Sequence, residues 1–327
     1  MAGQQTTGHR LPILIGIPLA VLAGLGIAAQ GRINGALGAR LNDGLAAAVV
    51  SFGSGLLVIL AVCLLLPSGR RGLRAVLPAL RARDFPRWYI TAGAIGAFFV
   101  LTQGLTVAVI GIALFTVAVV TGQSLSGLLV DRIGISPAGR RAITPIRVIS
   151  AILTIAAVIW AVSPRFAVAS EISHWLLPVL LPLAAGFLMS FQQAMNATQT
   201  VHYGTPLAAT LINFVAGFLV LLVAWAIKVS LAGFGQPLPS EGWYYLGGAI
   251  GCVFIGLSAW LVRGLGVLLT GLGTIAGQLM GSLALDLIFP APGTVITLAT
   301  WLGTLLTLIA MVFATLPWPR RGRGAAN

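Results

Sequence analysis

From Trp88 to Val130 the sequence runs without one charged side chain. As a single helix this stretch would be about 65 Å long, roughly twice the ~30 Å hydrocarbon core of a bilayer. It must therefore fold back on itself, near residues 109–112, as two membrane-crossing helices. A crossing helix needs about 20 predominantly apolar residues. Ten such stretches can be marked: 13–29, 44–66, 88–110, 111–130, 148–163, 175–195, 207–227, 243–262, 264–285 and 294–316. Only 8% of the chain is charged and 58% is hydrophobic, whereas a soluble domain carries about 25% charge. Lipid is the solvent that suits such a chain. Turn chemistry separates the stretches at Asn42-Asp43-Gly44, Pro67-Ser68-Gly69, Gly204-Thr205-Pro206 and Pro290-Ala291-Pro292-Gly293. Trp88, Trp175, Trp243 and Trp318 stand near stretch ends, where interfacial aromatics sit.

The formal net charge is +13. In a soluble protein that excess would point to nucleic acid; here the basic residues fall between apolar runs and read as topology signals. With ten spans, one face holds fifteen of them: Arg10, six arginines in 70–87, four in 132–147, Arg263 and three in the tail. The other holds Arg32, Arg40, Arg165 and Lys228. The positive-inside rule places both termini (residues 1–10 and 317–327) in the cytoplasm of a bacterial inner membrane. The first stretch follows His9-Arg10 much as a signal peptide would, but it takes part as an equal in the repeat described next, and is read as a span.

A shift of 162 places Gly24 on Gly186, Gln30 on Gln192, Asn34 on Asn196, Phe52 on Phe214 and Gly55 on Gly217. Further along, a shift of 155 places Trp88-Tyr89 on Trp243-Tyr244, Gly93 on Gly248, Gly122-Gln123 on Gly277-Gln278 and Asp131 on Asp286. The difference falls in the arginine-rich 67–87 connection, where an insertion is tolerated. Chance similarity between apolar helices does not match Gln, Asn, Trp and Asp in order. The chain thus divides into two five-helix repeats, 11–163 and 175–316. Because five is odd, the second repeat lies upside down relative to the first, the arrangement of many secondary transporters.

Polar residues within a span are costly unless paired, so they mark packing or a pathway. Gln30 and Asn34 share a helix face, as do Gln192 and Asn196. With Gln278 and Gln123 they form two sets, Gln30–Asn34–Gln278 toward the outside and Gln192–Asn196–Gln123 toward the cytoplasm. We expect these to line the two ends of one central cavity; interhelical hydrogen bonding is the alternative. Asp131 and Asp286 end matched spans and are candidates for coupling or gating, or for simple solvation. Arg32 has no counterpart and lies on the poorly charged face, where it could attract an anionic group; Arg263 is read as snorkelling to the cytoplasmic surface. Ser51 and Asn213 are matched and are read as packing positions. Cys63 and Cys252 sit inside apolar runs and the three histidines near span ends or tails, so no disulfide framework, metal site or cofactor is expected. An intramembrane enzyme would need a nucleophile with its base, or metal ligands, at membrane depth.

These residues resemble the drug/metabolite transporter superfamily and, within it, the YdcZ-like branch. The resemblance rests on Gln30-x3-Asn34, Leu45-Ala46-Ala47 leading into Ser51-Phe52-x2-Gly55, and Gly122-Gln123 followed by Asp131. It recurs at Gln192, Asn196, Asn213-Phe214-x2-Gly217 and Gly277-Gln278 with Asp286. It covers residues 11–316. It implies an all-α integral membrane fold (EamA-like) of ten transmembrane helices as two inverted five-helix repeats, and export of a small metabolite or toxic compound. The membrane-embedded Glu expected of a cationic-drug pump is missing, which argues against that subclass. No ATP motif is present, so energy would come from a gradient. The expected partners are a small-molecule substrate and the lipid bilayer, not nucleic acid; a homodimer is left open. The alternative is a non-transporting membrane scaffold or regulatory subunit.

Overall fold

The computed structural model describes residues 12–314 except 136, 138, 141, 169–172, 266 and 293. Both tails therefore lie outside the described residues, as do the side chains of Arg165 and Arg263. Among the described residues there are eleven α-helices: α1 (Ile13–Leu41), α2 (Gly44–Leu65), α3 (Pro67–Ala82), α4 (Gly93–Ile110), α5 (Ile112–Ile133), α6 (Pro145–Val168), α7 (Ser173–Tyr203), α8 (Pro206–Ala232), α9 (Leu246–Leu265), α10 (Val267–Ile288) and α11 (Leu298–Ala314). Short 3-10 turns at Arg87–Ala92 and Gly242–Tyr245 lead into α4 and α9. Among the described residues eight helices are long and apolar enough to cross a membrane: α1, α2, α4 with its leading turn, α5, α6, α7, α8 and α10. Helix α11 is a shorter apolar helix, and α9 has 20 residues.

The long uncharged stretch breaks at Gly111. Its φ of 81° and ψ of 160° lie where a side chain is strained, so the chain can leave α4 and enter α5 with a single residue between them. At the α1–α2 corner, Asn42 adopts a left-handed conformation and the Asp43 carboxylate accepts the Ala46 N–H at 3.0 Å, capping α2. One expectation needs refinement. The arginine-rich 67–87 connection contains the regular helix α3: Pro67 stands at its start, Gly69, Gly72 and Ala79 are buried, and Arg70, Arg71, Arg74 and Arg81 are exposed. This is the spacing of an amphipathic surface helix.

Helix α5 is the most enclosed element; Ile112 through Gly122 are all buried. It packs along α7, while α1 packs along α10, α6 against α11 and α2 against α8. Glycine governs the closest of these contacts. A side chain at Gly24 would run into the Thr274 carbonyl of α10, and one at Gly277 into the Val21 carbonyl of α1. In the α5–α7 contact a side chain at Gly186 would meet the Val119 carbonyl, and one at Gly122 the Leu183 carbonyl. The same exchange holds beside the α2–α8 contact, where Phe52 and Phe214 meet at 5.1 Å between ring centres. Gly55 lies against Phe214 and Gly248, and Gly217 against Phe52 and Gly93. Every one of these contacts has a partner contact with the two shifts interchanged. Leu57, Leu64, Ile152, Ile159, Val223 and Leu305 are exposed on the outside of the bundle, a surface chemistry for which hydrocarbon is the fitting solvent.

Candidate functional site: buried amides between the halves

Two groups of amide side chains lie in the interior. The first joins α1 to α4. Asn34 donates its Nδ2 to Gln103 Oε1 at 2.7 Å, and both residues are buried. The helices can come this close because small residues face the seam: Gly31 lies against Gln103, Gly35 against Val107, and Gly38 against the Gly104 backbone. The Asn34 Oδ1 has no hydrogen-bond partner and sits over Gly247 of α9, near the Ser51 hydroxyl. Gln30, one turn earlier, is beside Gly251 of α9.

The second group joins α7 to α8. Gln192 Nε2 and Asn196 Nδ2 both donate to Asn213 Oδ1, at 3.0 and 3.3 Å. Gln192 lies against Gly96 of α4, the position that a shift of 155 carries onto Gly251. A turn further on, Gln199 Nε2 donates to the Tyr89 carbonyl at 2.8 Å. The Gln192 Oε1, Asn196 Oδ1 and Gln199 Oε1 are buried without a partner.

Gln278 is buried on α10 next to the Gly24–Gly277 contact. Gln123 is half-buried on α5 next to the Gly122–Gly186 contact, and its main-chain carbonyl accepts from Ser190 Oγ at 3.2 Å. Thus Gln192 and Asn196 are brought together, whereas no described hydrogen bond joins Gln30, Gln123 or Gln278 to either group.

The matched aspartates have different partners. Asp286 is buried, and its two carboxylate oxygens accept the N–H groups of Ile112 and Ala113 at 3.1 and 2.8 Å. It therefore caps α5 from the neighbouring helix, where the helix dipole favours negative charge. Asp131 instead pairs with Arg147 at 2.7 Å, both part-exposed. Arg32 donates its Nε to the Phe289 carbonyl at 3.0 Å, just past the end of α10. The α1–α2 corner is tied to the end of α8 by Lys228, which donates to Asp43 Oδ2 at 2.8 Å and to the Gly233 carbonyl at 3.0 Å.

Sequence reasoning missed three roles. Gln103 and Gln199 escaped because their repeat counterparts are Ser258 and Leu37, so a search for matched amides passes over both. Gln199 was still visible as the next residue on the Gln192–Asn196 face, at i+7. Asn213 was read as a packing position, yet it is the acceptor that holds the second group together.

The family model described as "Putative inner membrane exporter, YdcZ" matches residues 15–160 and 177–313. The chain belongs to the YdcZ family of drug/metabolite transporters. No curated protein matches it. The two matched segments fall one in each half, on either side of the α6–α7 connection. As a YdcZ-family protein with many apolar helices, the chain is a multi-pass inner membrane protein.

Proposed function

We propose that this YdcZ-family protein is a secondary exporter of a small metabolite or toxic compound. It works by alternating access between two inverted five-helix repeats. Helices α9 and α11 complete ten spans, α3 lies on the cytoplasmic surface, and both termini are cytoplasmic. The reciprocal glycine contacts support the repeat: contacts that interchange partners under the two shifts are what a pseudo-twofold pair of halves produces.

The observation that carries the mechanism is a difference between the halves. Helices α1 and α4 are seamed together by Asn34–Gln103 and by Gly38 on Gly104. Their counterparts, α7 and α9, cannot form the same amide pair, because Gln103 is matched by Ser258. In the proposed orientation the closed α1–α4 seam faces outward, and the α7–α9 pair, which lacks that amide bond, is the one that parts toward the cytoplasm. Exchange of these two conditions would carry a solute across. The buried amides line its path, in a cavity of polar but uncharged groups.

The test is a comparative metabolite profile. Wild type, empty vector and a Gln123→Ala/Gln278→Ala double variant are expressed in a deletion host, and medium is compared with cytoplasm. A compound that accumulates outside only with the wild type is the expected result. If wild type matches empty vector across the profile, the exporter reading fails and a scaffold role takes its place.

A further inference from the structure

The second amide group continues past the residues that the repeat picks out. Gln192, Asn196 and Gln199 fall at i, i+4 and i+7 on α7, so they form one stripe about 10 Å long. Each spends its NH2 on the protein: Gln192 and Asn196 on Asn213 Oδ1, Gln199 on the Tyr89 carbonyl. Each leaves its carbonyl oxygen buried without a partner. At Gln199 this orientation is fixed, because a main-chain carbonyl can only accept. Buried polar atoms are nearly always satisfied, and an unpaired one destabilises the fold. Three unpaired acceptors on one helix face are a pattern that packing alone does not select.

The first repeat supplies the control. On α1 the matching positions are Gln30, Asn34 and Leu37, and Ser51 stands opposite in place of Asn213. There Asn34 pairs with Gln103, and among the described residues of that face only Asn34 Oδ1 is buried without a partner. The acceptor stripe therefore belongs to α7, on the side that faces the cytoplasm in the proposed orientation. No carboxylate is among the described hydrogen-bond partners of the three amides, so a buried cation would find no counter-charge there.

We propose that the Gln192–Asn196–Gln199 face of α7 is a hydrogen-bond-accepting site for a neutral solute bearing several hydroxyl or amide N–H donors. This names the substrate class for the transport path above, and rests on that reading for the way the solute arrives. Asn213 and Tyr89 are positioning residues: they hold the NH2 groups so that all three carbonyl oxygens are presented. Leu37 at the matching place in the first repeat makes the site one-sided, so a solute is held while α7 is accessible and released when that face closes.

The full chain is purified into lipid nanodiscs, and its unfolding midpoint and tryptophan fluorescence are followed. The probes are linear polyols of three to six carbons, succinamide, the O-methyl ethers of the same polyols, sodium chloride, potassium chloride and tetramethylammonium chloride. The expected result is a saturable rise in midpoint, at millimolar concentration, from a polyol or the diamide and not from the ethers. Gln199→Leu copies the residue of the first repeat, and Asn213→Ser copies its partner. Both should fold and weaken half-saturation by about tenfold, the scale of one or two lost hydrogen bonds. A response that never saturates is general solute exclusion and counts against the site. Equal responses to the ethers, a response only to sodium, potassium or tetramethylammonium, or none at all overturn it, leaving the carbonyls to water. Binding without export would overturn the exporter reading and keep the site; export with no binding of this panel would do the reverse.

Discussion

Gly24 and Gly277 on one contact, and Gly186 and Gly122 on the other, bring helix backbones together with no room for a methyl group. Gly24→Ala and Gly186→Ala should each destabilise by about 1–3 kcal/mol through forced separation of packed helices, measured by denaturation in detergent. Gly127 and Gly271 have open space where a side chain would go, so Gly127→Ala should instead be neutral or stabilise by up to ~1 kcal/mol through helix propensity. If all three substitutions behave alike, the close approach is not what these glycines serve. Asp286→Ala should cost about 1–2 kcal/mol, the usual loss for a helix cap, seen in the same assay. Its counterpart Asp131→Ala should cost about 1 kcal/mol or less, because a part-exposed ion pair contributes little. Identical repeat positions thus carry unequal weight. The sequence could align the two aspartates but could not rank them, since the cap on α5 is made by a helix more than 170 residues away.

At the scale of the element, the features that depend on length and local chemistry could be read directly. The fold-back at Gly111 follows from a stretch too long for one crossing that contains a residue able to take positive φ. The corner at Asn42-Asp43 follows from turn and capping residues. Helix α3 was hidden by its own composition: four arginines in sixteen residues read as a charge cluster, and its buried side consists of Gly69, Gly72 and Ala79, too small to register as an apolar stripe. Gly72 of α3 fits against Thr205, which caps α8, and against Ala208 of α8, so the helix is held to the protein by close fit and leaves its arginines outward. Replacing Arg70, Arg71 and Arg74 by Ser should remove an attraction of about 1 kcal/mol per residue to an anionic bilayer surface. The expected readout is an unfolding midpoint higher in phosphatidylglycerol than in phosphatidylcholine nanodiscs for the wild type, with the difference much reduced in the variant. An unchanged difference would place α3 away from the lipid surface.

For the whole molecule, the proposal of two repeats rests on identical residues recurring in order, and the reciprocal glycine contacts support it. What distinguishes the halves was not legible, because it resides in residues without a match: Gln103 against Ser258 and Gln199 against Leu37. Thiol labelling offers a direct check. Both native cysteines are buried and free, so single cysteines can be introduced into a Cys63→Ala/Cys252→Ala background. Cysteines at 196 and 199 should react with a membrane-impermeant reagent from the cytoplasmic side, and one at 107, buried inside the α1–α4 seam, should react from neither side. Reaction of all three from outside would reverse the proposed assignment of faces. The Asn34–Gln103 bond also bears on timing. One seam closes with an amide pair and the other, by sequence, can offer only a serine, so the two resting positions of the cycle are unequal in energy. A net hydrogen bond of about 1 kcal/mol corresponds to roughly a fivefold bias in occupancy. The molecule would then behave as a spring-loaded valve that spends most of its duty cycle open to the cytoplasm, with the outward stroke setting the pace. Gln103→Leu, by slackening that spring, should even out the dwell times.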